Sequence, residues 1–146
     1  MTVMFSIPGE PQGKARARVV RTKIGRSISY TPEKTAAYEK QVRQCYQNQV
    51  GGWKFPPDCP LRVEITAFFS IPKSKSKRVK EQMREGKLLP IKKPDADNIT
   101  KIICDALNGV AYADDKQITS LTIHKGYSLE PRVIVKIQEV KAGENV

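Results

Sequence analysis

The clearest pattern along the chain is strict alternation. Leu61, Val63, Ile65, Ala67, Phe69 and Ile71 stand at every second position, with polar or mixed residues between them. A period of two predicts a strand with one face on a core, ended by Pro72. Val3, Phe5 and Ile7 repeat the pattern over residues 2–7, closed by Pro8-Gly9. Residues 118–126 and 131–140 read as two further strands, the last marked by Val133, Val135 and Ile137. Residues 18–30 read as a basic hairpin turning near Gly25, with Ile28 and Tyr30 on the return.

Elsewhere the period lengthens. Thr31-Pro32 offers a hydroxyl cap and a proline for a first turn, and the helix it opens runs to about Val50, where Gly51-Gly52 stops it. Ile99, Ile102, Ile103, Ala106 and Leu107 share one helical face over residues 98–108, with Gly109 as the stop. Residues 74–86 form a polar, basic helical segment closed by Gly86, and Pro56-Pro57 and Pro60 mark a loop. The order strand, hairpin, helix, strand, helix, helix, strand, strand predicts an α/β (α+β) single domain over residues 1–142. Its sheet is mixed or largely antiparallel with packed helices, and residues 143–146 form a frayed tail.

Composition narrows the function. At 146 residues the chain fits one domain, and no apolar run approaches the roughly 20 residues that span a bilayer. The N-terminus lacks a basic flank and a long apolar run, so no signal peptide is expected and the protein reads as cytoplasmic. Cys45, Cys59 and Cys104 are scattered and accompany a single His, which does not make a usual zinc site. No GxGxxG or GxxxxGK[ST] motif is present, so no nucleotide cofactor is expected.

Charge changes the picture more. Lys and Arg number 26 against 15 Asp and Glu, a net charge of +11, which predicts a polyanionic partner. Of these 26 cations, 15 fall in two stretches. Lys14, Arg16, Arg18, Arg21, Lys23 and Arg26 lie where no acid intervenes, and Lys73, Lys75, Lys77, Arg78, Lys80, Arg84, Lys87, Lys92 and Lys93 form the second. Lys14, Arg16, Arg18, Arg21, Lys73, Lys75, Lys77 and Arg78 are the expected DNA contacts.

The acids do the opposite. Asp95, Asp97, Asp105, Asp114 and Asp115 gather in one short region. Cations that neutralise phosphates, beside carboxylates that hold a divalent ion, are what a metal-dependent nuclease needs. If Asp95 to Asp97 is extended after Pro94, the two carboxylates point the same way and repel unless a cation sits between them. Asp suits Mg²⁺ or Mn²⁺. Asp97 also begins a helix, so Lys101 and Asp105 follow on its face, with Lys101 available to a scissile phosphate. Asp114-Asp115 supplies the third ligand. An 11-residue helix climbs roughly 16 Å, and residues 109–115, extended, span at most about 23 Å, so the chain can return to the helix start. Each residue has a plainer alternative: Asp97 as a helix cap, Asp95 as a turn former, Lys101 with Asp105 as a surface pair, Asp114-Asp115 as a loop. His124 reads as a surface histidine, Cys104 as a core residue, and Trp53 with Phe55 as a cap on the core or a platform for a base.

The string Pro94-Asp95-Ala96-Asp97-Asn98, then Lys101, Asp105-Ala106-Leu107-Asn108-Gly109 and Tyr112-Ala113-Asp114-Asp115-Lys116-Gln117 closely resembles the RusA-type Holliday junction resolvases. Ile7-Pro8-Gly9-Glu10-Pro11 and Tyr30-Thr31-Pro32 are similar to the Gram-positive and phage branch. The resemblance implies a small, prophage-associated endonuclease that works as a homodimer on branched, four-way DNA with Mg²⁺, or Mn²⁺ in its place. It implies that Asp95, Asp97 and Asp115 bind metal, that Lys101 is catalytic, and that Asp105 and Asp114 match acidic positions, Asp114 a possible ligand. Ala96 stands where a larger apolar residue is common, and the resemblance does not bear on residues 50–60. Two other readings use the same charges: a non-catalytic nucleic-acid-binding module, and a nuclease for flaps or other branched substrates.

Overall fold

The alternating segments assemble into one four-stranded sheet. The computed structural model describes residues 1–15, 18–30 and 32–143, with backbone alone for residues 18 and 28–30. The elements are β1 (Thr2–Pro8), β2 (Arg18–Arg21), β3 (Ser27–Tyr30), α1 (Glu33–Gln49), β4 (Leu61–Ser70), α2 (Lys77–Arg84), α3 (Ala96–Leu107), β5 (Ile118–Ser128) and β6 (Arg132–Glu139). The main sheet runs β1-β6-β4-β5. β6 is antiparallel to both neighbours, whereas β4 and β5 are parallel, so the sheet is mixed. β2 and β3 pair as a separate antiparallel hairpin with Gly25 at φ +82° in its turn.

Register explains the alternation. Phe5 pairs with Val135, Val135 with Ile65, and Ile65 with Ile123, which makes one row across all four strands. The next row is Val3, Ile137, Val63 and Leu121. Because side chains alternate, every member of these rows faces the same side. There α1 packs against β1, and α3 packs against α1 and β5. Tyr38, Val42 and Tyr46 of α1 and Ile99, Ile102, Ile103, Ala106 and Leu107 of α3 close the core. Ile65 is fully buried, and its truncation to Ala costs about 2–5 kcal/mol.

The boundaries follow the expectations closely, with three differences, the first at α2, expected over residues 74–86 and found over Lys77–Arg84. Thr31, expected as the cap of α1, lies outside the described residues, and Pro32 stands immediately before the first turn. α3 begins two residues earlier than the apolar stripe indicates, at Ala96. The tail beyond Gly143 also lies outside the described residues. No helix among the described residues is long and apolar enough to cross a membrane.

Candidate active site

The acidic residues reach one place by two routes. The first is α3. Asp97 lies in its first turn, and Lys101 and Asp105 follow at four-residue intervals on the face turned away from the core. The stripe Ile99, Ile102, Ile103, Ala106 and Leu107 is buried, so the polar face is held by apolar packing on its back. Asp97 is therefore helical. The extended Asp95–Asp97 pair does not form, because the helix opens between them, at Ala96. Asp95 occupies the cap position in extended geometry, yet its carboxylate takes no hydrogen bond from the helix, leaving its oxygens uncommitted to capping.

The second route is the return from α3 through residues 108–117. Gly109, at φ +77°, turns the chain, and its N–H donates to the Tyr112 carbonyl at 2.7 Å. Tyr112 is fully buried and its hydroxyl donates to the Cys104 carbonyl at 2.8 Å, which ties the return to the helix. Polar clamps then set the acids. Gln117 accepts at Oε1 from the N–H groups of Ala113 and Asp114, at 3.0 and 3.2 Å. Its Nε2 donates to the carbonyls of Pro56 and Cys59, at 2.8 and 3.1 Å. The Asp115 N–H donates to Asn108 Oδ1 at 2.8 Å, and Asp114 Oδ1 accepts from the Lys116 N–H at 2.8 Å.

Residues 50–60 brace that loop from behind. The Phe55 N–H donates to the Ala111 carbonyl at 2.8 Å, and the Tyr46 hydroxyl to the Trp53 carbonyl at 2.6 Å. Phe55 is buried, and Trp53 packs edge-on against it, so the pair caps the core. Composition gave no signal for this brace; the glutamine two positions after the paired aspartates was the available one.

Between the two routes lies a cleft of about 570 Å³. Asp97, Lys101, Asp105 and Asp115 stand around it, with Thr119 and Ser120 at its side. Leu121 and Ile123 line it as well, where β5 runs along the sheet edge, and Leu121 remains 47% exposed. Asp95 borders an adjoining hollow with Lys14, Lys93 and Asn98. Among the described residues no three His, Cys, Asp or Glu side chains stand together closely enough to hold an ion.

The electrostatics favour a cation in the cleft. Burial, a hydrogen bond with Asp114, and the charges of Asp114 and Asp105 push the Asp115 carboxyl above its ordinary range, while Lys101 pulls it back. Such crowding is what a hard divalent cation relieves, and carboxylate oxygens are the donors it takes, so the residues present fit Mg²⁺ or Mn²⁺.

The cations divide. Lys73, Lys75, Lys77 and Arg78 are exposed on and before α2, whose first turn Ser76 caps at the Val79 N–H, and Arg21 is exposed on β2. Arg16 and the Arg18 side chain lie outside the described residues. Lys14, expected among the DNA contacts, turns inward: its ammonium lies 2.9 Å from Glu39 and 3.4 Å from Asp105. Burial opposes its charge, but the hydrogen bond and charge of Glu39, with Asp105 behind them, raise its pKa. The strap carrying it is tight. Lys14 N–H donates to the Asn98 carbonyl at 3.1 Å, and a Cβ on Gly13 would meet Pro94 Cβ at 2.9 Å. Lys92 lies over the rings of Phe69 and Tyr127, and Lys125 donates to its carbonyl at 2.6 Å, which holds the approach to Pro94-Asp95. His124 is exposed and Cys104 is buried, as expected.

Comparison with known proteins places the chain among relatives. The chain is 35% identical to an uncharacterised protein, YqaN, of Bacillus subtilis strain 168, over 96% of its own length and 98% of that protein's. The family model described as endodeoxyribonuclease RusA matches residues 8–138, from the end of β1 to the last residues of β6, and so takes in both routes to the cleft. The match covers most of the chain, which belongs to the RusA endodeoxyribonuclease family.

Proposed function

We propose that this protein is a divalent-metal-dependent endodeoxyribonuclease that resolves four-way DNA junctions. The observation that carries the reading is the meeting of Asp97 and Lys101, from α3, with Asp115, from the return loop, around one cleft. Asp95 is the third candidate ligand, from the adjoining hollow, and Asp114 a further possible one. Mg²⁺ commonly takes one or two carboxylates and completes its shell with water and substrate phosphate, so a closed protein cage is not required. When bound, Mg²⁺ or Mn²⁺ supplies Lewis acidity toward the phosphate and a bound water of lowered pKa.

The chain's own groups do the rest. Asp97 and Asp115 would hold the ion at the cleft. Lys101, whose side chain is 62% exposed, reaches outward to the scissile phosphate and offsets the charge that builds on it. Asn108 and Gln117 fix the loop so that Asp115 is held at the cleft without reorganising. Lys73, Lys75, Lys77, Arg78 and Arg21 neutralise the phosphates of the arms, and Arg16 and Arg18 belong to the same basic segment.

A four-way junction has two-fold symmetry and needs two nicks, whereas one chain offers one acidic cleft. A C₂ homodimer supplies the second. The test uses a synthetic four-way junction beside flap, duplex and single-stranded substrates, with Mg²⁺ present, chelated and restored. Paired nicks on the junction, lost in EDTA and regained on adding Mg²⁺, are the expected result. Binding without cutting in any condition would leave a nucleic-acid-binding module.

A further inference from the structure

Lys14 bears a charge that the proposed chemistry does not use. Its side chain is 21% exposed, and it shares Asp105 Oδ2 with Lys101: Lys14 Nζ lies 3.4 Å from that oxygen and Lys101 Nζ 3.5 Å. One carboxylate oxygen thus stands between a cation held inside and a cation at the cleft. The inner cation is anchored on its far side by Glu39, which is itself 9% exposed. Its backbone is anchored too, by the Asn98 carbonyl and, one residue on, by the Thr35 hydroxyl accepting from the Ala15 N–H at 3.3 Å. The strap fixes where the Lys14 side chain starts, and Glu39 holds its ammonium beside Asp105.

The consequence is electrostatic. Asp105 lies one helical turn beyond Lys101 and competes with a phosphate for its ammonium. A carboxylate already neutralised from within competes less, because the attraction between two charges weakens once a third offsets one of them. We infer that Lys14 is a positioning residue for Lys101: by neutralising Asp105 from the core side, it leaves the Lys101 ammonium free to engage the scissile phosphate. This deepens the nuclease reading of the cleft and rests on it. The rival explanation is that Lys14 only satisfies the buried Glu39.

The experiment separates the two. In a Glu39→Gln background no buried carboxylate is orphaned by losing Lys14, so folding is protected. There, Lys14→Met should lower single-turnover kcat on a four-way junction in Mg²⁺ on the order of 10-fold, with KM within about twofold, and Lys14→Arg should restore most of it. With Asp105→Asn added, the same Lys14→Met step should cost less than about threefold, because the competitor for Lys101 has lost its charge. Equal losses with and without Asp105→Asn would overturn the inference. The second measurement needs no cleavage: the ammonium resonance of Lys101, assigned by its loss in Lys101→Arg and recorded without DNA. Tighter pairing with Asp105 in Lys14→Met should shift this signal and slow its exchange with water. An unchanged signal would overturn the inference even if the unsubstituted protein cuts. Failure of the unsubstituted protein to cut any branched DNA would instead sink the nuclease reading, and the Lys101 resonance would still decide the role of Lys14.

Discussion

The two routes to the cleft are built by opposite means. α3 presents Asp97, Lys101 and Asp105 because its other face is apolar and buried: Ile99, Ile102 and Ile103 are all fully covered. The return loop presents Asp115 with little apolar help at that residue. It is held by hydrogen bonds through Gln117 and Asn108 and by a brace over residues 53–59. A helix face is set by the pitch of the backbone, so one packed stripe orients three functional groups at once. An irregular loop has no pitch, and each acid needs its own clamp. The helix limb should therefore tolerate loss of a single packing group without losing geometry, while the loop limb should lose geometry when one polar group goes.

The largest effect should come from the acids themselves, one on each limb. Asp97→Asn and Asp115→Asn should each lower junction cleavage by at least about 1,000-fold, since groups that act as a unit fail together. Junction binding should hold or tighten, because each change removes a negative charge near phosphate. Cleavage and gel-shift measurements on the same preparations check this. Normal cutting by either variant would take that limb out of the chemistry.

The second comparison sets a clamp against a packing residue. Gln117 is 7% exposed and its amide makes four of the bonds that hold residues 56–59 and 113–114 together. Gln117→Ala should lower kcat on the order of 100-fold, because misplacing Asp115 by about an ångström is enough. Ile103→Val, on the buried face of α3, should cost about 0.5–1.5 kcal/mol of stability while the folded enzyme cuts at close to the normal rate. Denaturation midpoints beside single-turnover rates separate the two. If Ile103→Val loses as much activity as Gln117→Ala, the limbs do not differ in kind.

How much of this could be read beforehand follows the same division. The strands and α3 were legible because alternation and helical spacing report directly on burial; the rows through Ile65 and Ile123 are that pattern seen across the sheet. The acids were legible because they cluster against the charge of the chain. The helical placement of Asp97 was legible too, since Lys101 and Asp105 follow it at helical spacing; the local pattern did not decide whether Asp95 to Asp97 is extended, and the helix that opens at Ala96 excludes it. The inward turn of Lys14 and the brace over residues 53–59 left no local trace. Charge shows in composition, but whether a lysine meets DNA or a buried carboxylate depends on Glu39 and Asp105, distant in the chain.

The cations give the third comparison. If the exposed tracts make about six to eight phosphate contacts, log K should fall against log salt with a slope near −5 to −7. Neutralising Lys75, Lys77 and Arg78 together should flatten it by up to about 3. Lys14→Met should leave the slope nearly unchanged, because its ammonium is paired inside. Binding isotherms over a salt series decide, and a Lys14 contribution equal to that of an exposed lysine would contradict its internal pairing.

The smallest effect should come from the lesser clamp. Asn108 accepts one bond, from the Asp115 N–H, where Gln117 makes four. One neutral hydrogen bond contributes about 0.5–1.5 kcal/mol, so Asn108→Ala should slow cleavage by roughly 2–10-fold. Asn108→Asp is the sharper probe. It keeps an acceptor for the Asp115 N–H but brings a further negative charge to a carboxyl already crowded by Asp114 and Asp105. If geometry alone matters, Asn108→Asp should outperform Asn108→Ala. If negative charge limits the cleft, Asn108→Asp should be the slower variant at low Mg²⁺ and recover as Mg²⁺ is raised, since a bound cation offsets the added carboxylate. A titration of cleavage rate against Mg²⁺ for the two variants distinguishes these outcomes. Indistinguishable curves at the unsubstituted rate would mean that Asp115 is positioned without Asn108, leaving Gln117 as the clamp of the loop limb.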